Sequence, residues 1–202
     1  MRKINRSTLI FLIISLLYIS DIILSGAVSD SYIYIFQTKL YFSLITISLA
    51  YFLICFFSEF YCYKKVNYII WIGFTYKIAL LLYDIVNSSL ALKGDKALSF
   101  IFDQAFRSEI SSIIAYLAGS LICTFIFLRI KAITHEKHFW LRAICAILAG
   151  SGIDTMIYLN AAYMGVLPYA VIGKMFYMQF VSKFLIGIIF IPAVRLYKYL
   201  LD

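Results

Sequence analysis

Long apolar runs dominate the chain, and short polar segments separate them. Six runs are long enough to cross a bilayer, because a transmembrane helix needs about 20 mainly apolar residues. These runs lack the polar–apolar alternation of strands in a membrane β-barrel. The predicted spans cover residues 8–27, 40–58, 67–87, 108–128, 140–163 and 170–193.

The composition supports this division. Of 202 residues, 64% are hydrophobic and 14% charged, whereas soluble domains are about half apolar and a quarter charged. Proline occurs only at Pro168 and Pro192, which suits nearly continuous helix. We therefore predict an all-α, polytopic membrane protein with six transmembrane helices. The connections are short, so residues 1–202 are predicted to form one domain.

The net charge of +8 comes from basic residues that lie mostly between the spans. This distribution favours a role in membrane topology over nucleic-acid binding. One side of the membrane has eleven of them: Arg2, Lys3, Arg6, Lys64, Lys65, Arg129, Lys131, Lys137, Arg142, Arg195 and Lys198. The other side has four: Lys39, Lys93, Lys96 and Lys174. The positive-inside rule then predicts that both termini are cytoplasmic.

Two segments allow a second interpretation. Basic residues precede the first apolar run, and Ser25-Gly26-Ala27 resembles a signal-peptidase site, so a signal peptide is the alternative to a first span. In the third loop, residues 88–106, four apolar residues have helical spacing: Ala97, Phe100, Ile101 and Ala105. That loop is either a short amphipathic helix at the membrane surface or an ordinary connector.

Ionisable residues within the spans are the strongest indication of function, because charge in hydrocarbon is costly. Asp154 and Lys183 lie near the middle of spans five and six. Adjacent antiparallel helices would bring them together at one depth, as a structural pair or beside a water-filled cavity. Lys77 and Asp84 share a face of span three, and one explanation for their presence in the membrane is that each belongs to a polar pair. The remaining ionisable residues are Asp21 within span one, and Glu59, Arg107 and Glu109 near the edges of spans.

The helix face around Asp154 suits a ligand. Ser151 and Tyr158 lie three residues before and four after it, so they share that face. Gly150 and Gly152 leave room either for close helix packing or for a bound molecule. Such a face could bind a planar polar molecule by hydrogen bonds and stacking.

The cysteines and histidines predict no metal and no cofactor. The cysteines form no CxxC motif and lie in or beside apolar runs, so we predict no disulfide. His135 and His138 are three residues apart in a charged loop, with no third ligand in view.

Four segments together resemble a known family. Residues 107–123 read RSEISSIIAYLAGSLIC, and residues 140–158 read WLRAICAILAGSGIDTMIY. Lys183 is followed nine residues later by Pro192, and residues 58–65 read SEFYCYKK. Their order, spacing and placement are similar to the queuosine-precursor transporter family, also called the vitamin uptake transporter family. The resemblance extends from about Tyr51 to Tyr197.

This resemblance implies a carrier in the bacterial plasma (inner) membrane, not an enzyme, that imports a 7-deazaguanine base such as preQ0, preQ1 or queuine. Its motifs imply five functional residues, and the face of span five adds two. The predicted substrate-binding set is Asp154, Arg107, Lys183, Tyr116, Arg142, Ser151 and Tyr158. The implied partners are a nucleobase-like substrate and the lipid bilayer, without nucleic acid. Asp154 would accept N–H groups of the base, and Arg107 or Lys183 would donate to its carbonyl oxygen.

The chain departs from the family pattern at several polar positions, which leaves the exact substrate open. Ser120 stands where many members have glutamine, and Cys123 where they have aspartate or asparagine. Cys145 and Ala146 replace a serine–threonine pair, and Cys62 replaces a glycine.

Three other classes of protein compete with this prediction. A substrate-binding subunit of an energy-coupling-factor vitamin importer has a similar number of spans and needs a partner subunit. In such a subunit the first helix carries an A-x-x-x-A pattern that docks on the partner, whereas span one of this chain has only one alanine, Ala27. An enzyme is disfavoured because HExxH, GxSxG and Walker A motifs are absent from the sequence. The charges in mid-membrane argue against a simple scaffold protein.

Overall fold

The computed structural model describes residues 6–27, 32–35, 38–91, 96–135 and 137–201. Nearly all of this is helix, as predicted. The helices are α1 (Arg6–Ala27), α2 (Phe42–Phe60), α3 (Tyr63–Ala91), α4 (Lys96–Ile133), α5 (Phe139–Tyr163) and α6 (Tyr169–Leu201).

One feature adds to the predicted all-α class. Strands β1 (Tyr32–Ile35) and β2 (Thr38–Tyr41) pair antiparallel between α1 and α2, in a segment that we predicted only as a connection. Their aromatic and β-branched residues are typical of strands. We call this side of the bundle the hairpin end, and the side with residues 61–62, 134–135 and 137–138 the opposite end.

Within the parts of the chain that the structure describes, five helices are long and apolar enough to cross a membrane, so the protein is a multi-pass membrane protein. Their qualifying segments are Ser43–Phe60, Tyr63–Val86, Gln104–Ile133, Phe139–Tyr163 and Tyr169–Ile189. In α1, the apolar stretch found among the described side chains is shorter, Phe11–Ser25. The first predicted span, residues 8–27, and with it the total of six spans, therefore stays a prediction. The cytoplasmic placement of both termini stays a prediction as well.

Helix α4 begins much earlier than the predicted fourth span. It runs without a break for 38 residues from Lys96 to Ile133. At 1.5 Å per residue this helix is about 57 Å long, whereas the hydrocarbon core is about 30 Å thick. The helix suggested by the spacing of apolar residues in the third loop is thus confirmed. It is an extension of α4 and not a separate element.

Helix α2 is central and α3 and α6 are peripheral. Residues 51–59 of α2 are all buried, and this helix contacts the other five. A helix that is apolar on every side is expected in such a position. In contrast, Leu82 on α3 and Leu185 and Ile189 on α6 are largely exposed. These apolar surfaces are suited to contact with lipid.

Helices α4 and α5 form the most extensive contact, and they cross at two glycines. A Cβ atom added to Gly119 would lie 2.9 Å from the carbonyl oxygen of Gly150. A Cβ atom added to Gly150 would lie 3.0 Å from the carbonyl oxygen of Gly119. The two backbones therefore touch directly, so close helix packing, one of the two explanations for the small residues before Asp154, holds for Gly150.

Candidate functional site

A cavity lies between helices α1 to α5. Its empty space is about 420 Å³, a figure that includes open solvent at its mouth. Four aliphatic residues line it: Ile22, Ile47, Ala50 and Ile54. The polar lining residues are Asp21, Ser25, Thr46, Tyr51, Lys77, Ser112, Tyr116, Ser120 and Asp154.

The lining of the cavity covers about two turns of both α2 and α4. Its lining extends from Thr46 to Ile54 on α2 and from Ser112 to Ser120 on α4. Eight residues of helix correspond to about 12 Å. Asp154 lies beside Gly119, so its carboxylate belongs to the part of the cavity next to the crossing of α4 and α5.

Asp154 and Lys183 form a buried ion pair, as the sequence predicted. The Lys183 ammonium donates to Asp154 Oδ2 at 2.5 Å and to the Thr155 hydroxyl at 2.9 Å. Asp154 lines the cavity, whereas Lys183 is only 2% exposed and reaches the carboxylate from α6. Within the described parts of the chain, Asp154 Oδ1 accepts no hydrogen bond. One carboxylate oxygen is thus held by the protein and the other is available to a ligand.

Gly119 makes room for this arrangement. A Cβ atom there would lie 2.8 Å from Asp154 Cβ and would collide with the Tyr51 hydroxyl. That hydroxyl is buried and has no hydrogen-bond partner among the residues that the structure describes. A buried polar group without a partner is costly. Tyr51 is therefore a second group at this end of the cavity that can bind a ligand.

Tyr116 forms another part of the lining and is paired with Tyr18, which lies behind it. The hydroxyls of Tyr18 and Tyr116 are 2.7 Å apart, and Tyr116 also donates to the Ile70 carbonyl at 3.3 Å. Lys77 Nζ lies 5.7 Å from the centre of the Tyr116 ring and donates to the Ser112 hydroxyl at 3.3 Å. The polar partner of Lys77 is therefore on α4, and it is not the exposed Asp84.

A second charged cluster lies at the opposite end, outside the cavity. Arg142 is fully buried, and its Nη2 lies 3.0 Å from Glu59 Oε1. Its guanidinium lies 5.4 Å from the ring centre of Phe127 and 5.9 Å from that of Phe139. The Lys131 ammonium donates to the backbone carbonyl of Glu59 at 2.5 Å. The cluster joins the ends of α2 and α4 to the start of α5.

Arg107 lies at the hairpin end and not in the cavity. Its side chain is exposed and donates to the carbonyls of Ala161 at 2.8 Å and Met164 at 2.7 Å. These carbonyls belong to the last turn of α5 and the residue after it, which lack partners within the helix. In this structure Arg107 therefore caps α5.

The remaining two predicted residues also lie away from the cavity lining. The Tyr158 hydroxyl is 3.0 Å from the Ser108 hydroxyl. Ser151 is fully buried, and its hydroxyl has no hydrogen-bond partner in the described part of the chain. Of the predicted set, the structure thus brings Asp154 and Tyr116 to the cavity and Lys183 directly behind Asp154.

The predicted set lacked several cavity residues. Asp21 and Lys77 could be identified as ionisable groups within spans, although the sequence did not separate a binding role from pairing. Ser120 was recognised as a position that departs from the family pattern. Tyr51 and Ser112 gave no signal, since the chain has 17 tyrosines and many serines in apolar runs.

Comparison with known proteins agrees with the resemblance drawn from the motifs. A family model described as "Putative vitamin uptake transporter" matches residues 41–197. The match covers α2 to α5 and most of α6, and therefore every cavity residue except those on α1. No curated protein and no solved structure matches the chain. The chain belongs to the vitamin uptake transporter family.

Proposed function

We propose that this protein imports a 7-deazaguanine base, a precursor of queuosine, across the bacterial plasma membrane. The observation that carries this proposal is the cavity, in which a carboxylate, an ammonium group and tyrosine rings lie around one space. Membership of a family of vitamin uptake transporters supports small-molecule import. The motifs that resemble queuosine-precursor transporters support this substrate class.

Asp154 would recognise the donor edge of the base. A 7-deazaguanine presents a ring N–H and an exocyclic amino group side by side, and both need acceptors when they leave water. Oδ1 of Asp154 is available to them, while Lys183 holds Oδ2. Because hydrogen bonds to an ionised acceptor are stronger than neutral ones, this contact would favour guanine-like over adenine-like edges.

Other cavity groups would bind the rest of the ring. The base carbonyl needs a donor, and the Lys77 ammonium and the Tyr51 hydroxyl both line the cavity. A hydrogen bond donated by the Tyr51 hydroxyl to the base carbonyl would remove the cost of its unpartnered hydroxyl. The rings of Tyr51 and Tyr116 supply aromatic surface for stacking on a planar base.

The charged cluster at the opposite end would act as the barrier to the cytoplasm. If the termini are cytoplasmic, as we propose from the basic residues, then Glu59, Lys131 and Arg142 lie on the cytoplasmic side. Their contacts tie α2, α4 and α5 together there. The substrate would leave after these helices separate, in an alternating-access cycle.

The test is the queuosine content of tRNA in a bacterial host that cannot make the precursor and lacks its own transporter. The host expresses this chain and receives limiting preQ0, preQ1 or, where the host can use it, queuine. We expect at least one base to restore queuosine, and Asp154→Asn to abolish the effect. Asp84→Asn is the matched control, because Asp84 is an exposed carboxylate that does not line the cavity.

The outcomes separate the proposal from its alternatives. No restoration by any base, from a chain shown to reach the membrane, would contradict the proposal. Restoration only when the energy-coupling subunits of a vitamin importer are co-expressed would identify the chain as the substrate-binding subunit of such an importer.

A further inference from the structure

Asp21 on α1 is a carboxylate that the proposed function has not used. It is 6% exposed and lines the cavity together with Ile22 and Ser25 of the same helix. Its Oδ2 atom is buried and has no hydrogen-bond partner among the described residues. The residue also precedes the region that the family model matches, residues 41–197. The family match therefore assigns nothing to it.

Among the described residues, the two lysines near the cavity contact groups other than Asp21. Lys77 donates to Ser112 and lies over the ring of Tyr116. Lys183 is held by Asp154 and Thr155. Over the described ranges, no ion pair involves Asp21. A carboxylate in such a setting is costly unless a cation or an N–H donor approaches it, and a ligand in the cavity can provide one.

The two carboxylates of the cavity thus differ in what they can bind. The charge of Asp154 is balanced by Lys183, so its remaining oxygen suits neutral N–H groups. Asp21 has no such counter-charge and suits a cationic group. Because Asp21 is on α1 and Asp154 on α5, they can hold two different parts of one ligand.

We propose that Asp21 binds a cationic amino substituent of the substrate and thereby selects among 7-deazaguanine bases. This inference rests on the proposed function. In preQ1 the ring carries an aminomethyl group, and queuine carries a substituted one, so both are cations at neutral pH. In preQ0 the same position carries a nitrile, which only accepts hydrogen bonds and would face a carboxylate that also only accepts. The site should therefore prefer the aminomethyl bases.

The first experiment compares preQ1 and preQ0 in the tRNA assay, over a range of base concentrations, in wild type and in Asp21→Asn. Loss of a charge-assisted hydrogen bond changes affinity by roughly ten- to a hundredfold. We expect wild type to need at least about tenfold less preQ1 than preQ0 for half-maximal queuosine. Asp21→Asn should raise the requirement for preQ1 by a similar factor and leave that for preQ0 within about twofold.

Two variants and one analogue sharpen the test. Asp21→Glu keeps the charge and should retain the preference, and Asp84→Asn should behave as wild type. For a measurement that needs no variant, 7-methyl-7-deazaguanine has the same ring without the amine. It should compete with preQ1 for the wild-type protein only at about tenfold or greater excess.

The results distinguish this inference from the proposed function. Equal losses for preQ1 and preQ0 in Asp21→Asn, wild-type preference for preQ0, or effective competition by the methyl analogue would each overturn the role of Asp21. In those cases the import of 7-deazaguanines still stands. A wild-type chain that restores queuosine with no base contradicts the proposed function itself, and this inference with it.

Discussion

Lys183 on α6 donates to Asp154 on α5 at 2.5 Å, and this ion pair lies at one side of the cavity. Only the carboxylate lines the cavity; the ammonium is buried behind it. The pair therefore links two functions. It holds α5 against α6, and it leaves the second oxygen of a buried carboxylate where a ligand can reach it.

The first prediction separates these two functions. Lys183→Met leaves Asp154 as an uncompensated buried charge and should destabilise the protein by about 3–5 kcal/mol. Replacing both partners, in Asp154→Asn with Lys183→Met, should recover much of that loss, because no buried charge is left unpaired. Uptake should remain absent in the double variant, since the ionised acceptor is gone and only a weaker amide oxygen remains. Thermal unfolding of the detergent-solubilised protein and uptake in cells measure the two effects. A double variant that transports normally would show that the pair is only structural.

The second prediction concerns Arg107, which the sequence placed in the binding set and which in the structure caps α5. Arg107→Ala removes two charge-assisted hydrogen bonds at an exposed site and should cost about 1–3 kcal/mol of stability. The concentration of base that gives half-maximal uptake should stay unchanged once uptake is normalised to folded protein. A tenfold increase in that concentration with unchanged stability would instead place Arg107 in the substrate site.

The third prediction tests the crossing of α4 and α5. Gly119→Ala should destabilise the protein by about 1–3 kcal/mol and impair uptake, because the added carbon meets Asp154, Tyr51 and the α5 backbone. Gly173→Ala is the matched control, since nothing lies within 4 Å of its added carbon. That change should be neutral or should stabilise α6 by up to about 1 kcal/mol. Equal thermal stability of the two variants would contradict the close crossing.

The fourth prediction concerns the cluster at the opposite end. Glu59→Gln removes the carboxylate that faces the fully buried Arg142, so it should cost about 3–5 kcal/mol. Lys131→Met should cost about 1 kcal/mol or less, because the Lys131 side chain is partly exposed and its nitrogen lies 3.7 Å from Glu59 Oε2. Unfolding of the two purified variants under one set of conditions gives the comparison. The reverse order of stability would mean that Lys131, and not Arg142, is the main partner of Glu59.

The helices and the central ion pair could be predicted from the sequence because their signals are local. Runs of apolar residues define the spans, and Asp154 and Lys183 are charges at matching depth in consecutive helices. The cavity could not be placed in the same way, since it depends on how α1 and α2 pack against α3, α4 and α5. Tyr51 illustrates this limit: its role follows from its unpartnered hydroxyl beside Gly119 and from nothing in its sequence context.

Arg107 illustrates a different limit. A basic residue at the edge of a span can point towards a substrate, towards lipid headgroups or towards the end of a neighbouring helix. The motif around Arg107 was informative about the family but not about the direction of the side chain. Its hydrogen bonds to the end of α5 arise because α4 extends beyond the predicted span and runs beside that end.

Uptake of a radiolabelled 7-deazaguanine base into liposomes that contain only the purified chain tests the central claim most directly. We predict saturable accumulation of at least one base above that in protein-free liposomes, absent with Asp154→Asn and retained with Asp84→Asn. Absence of uptake for preQ0, preQ1 and queuine alike, by protein shown to be folded and inserted, would contradict the claim that this chain alone carries such a base through the cavity beside Asp154.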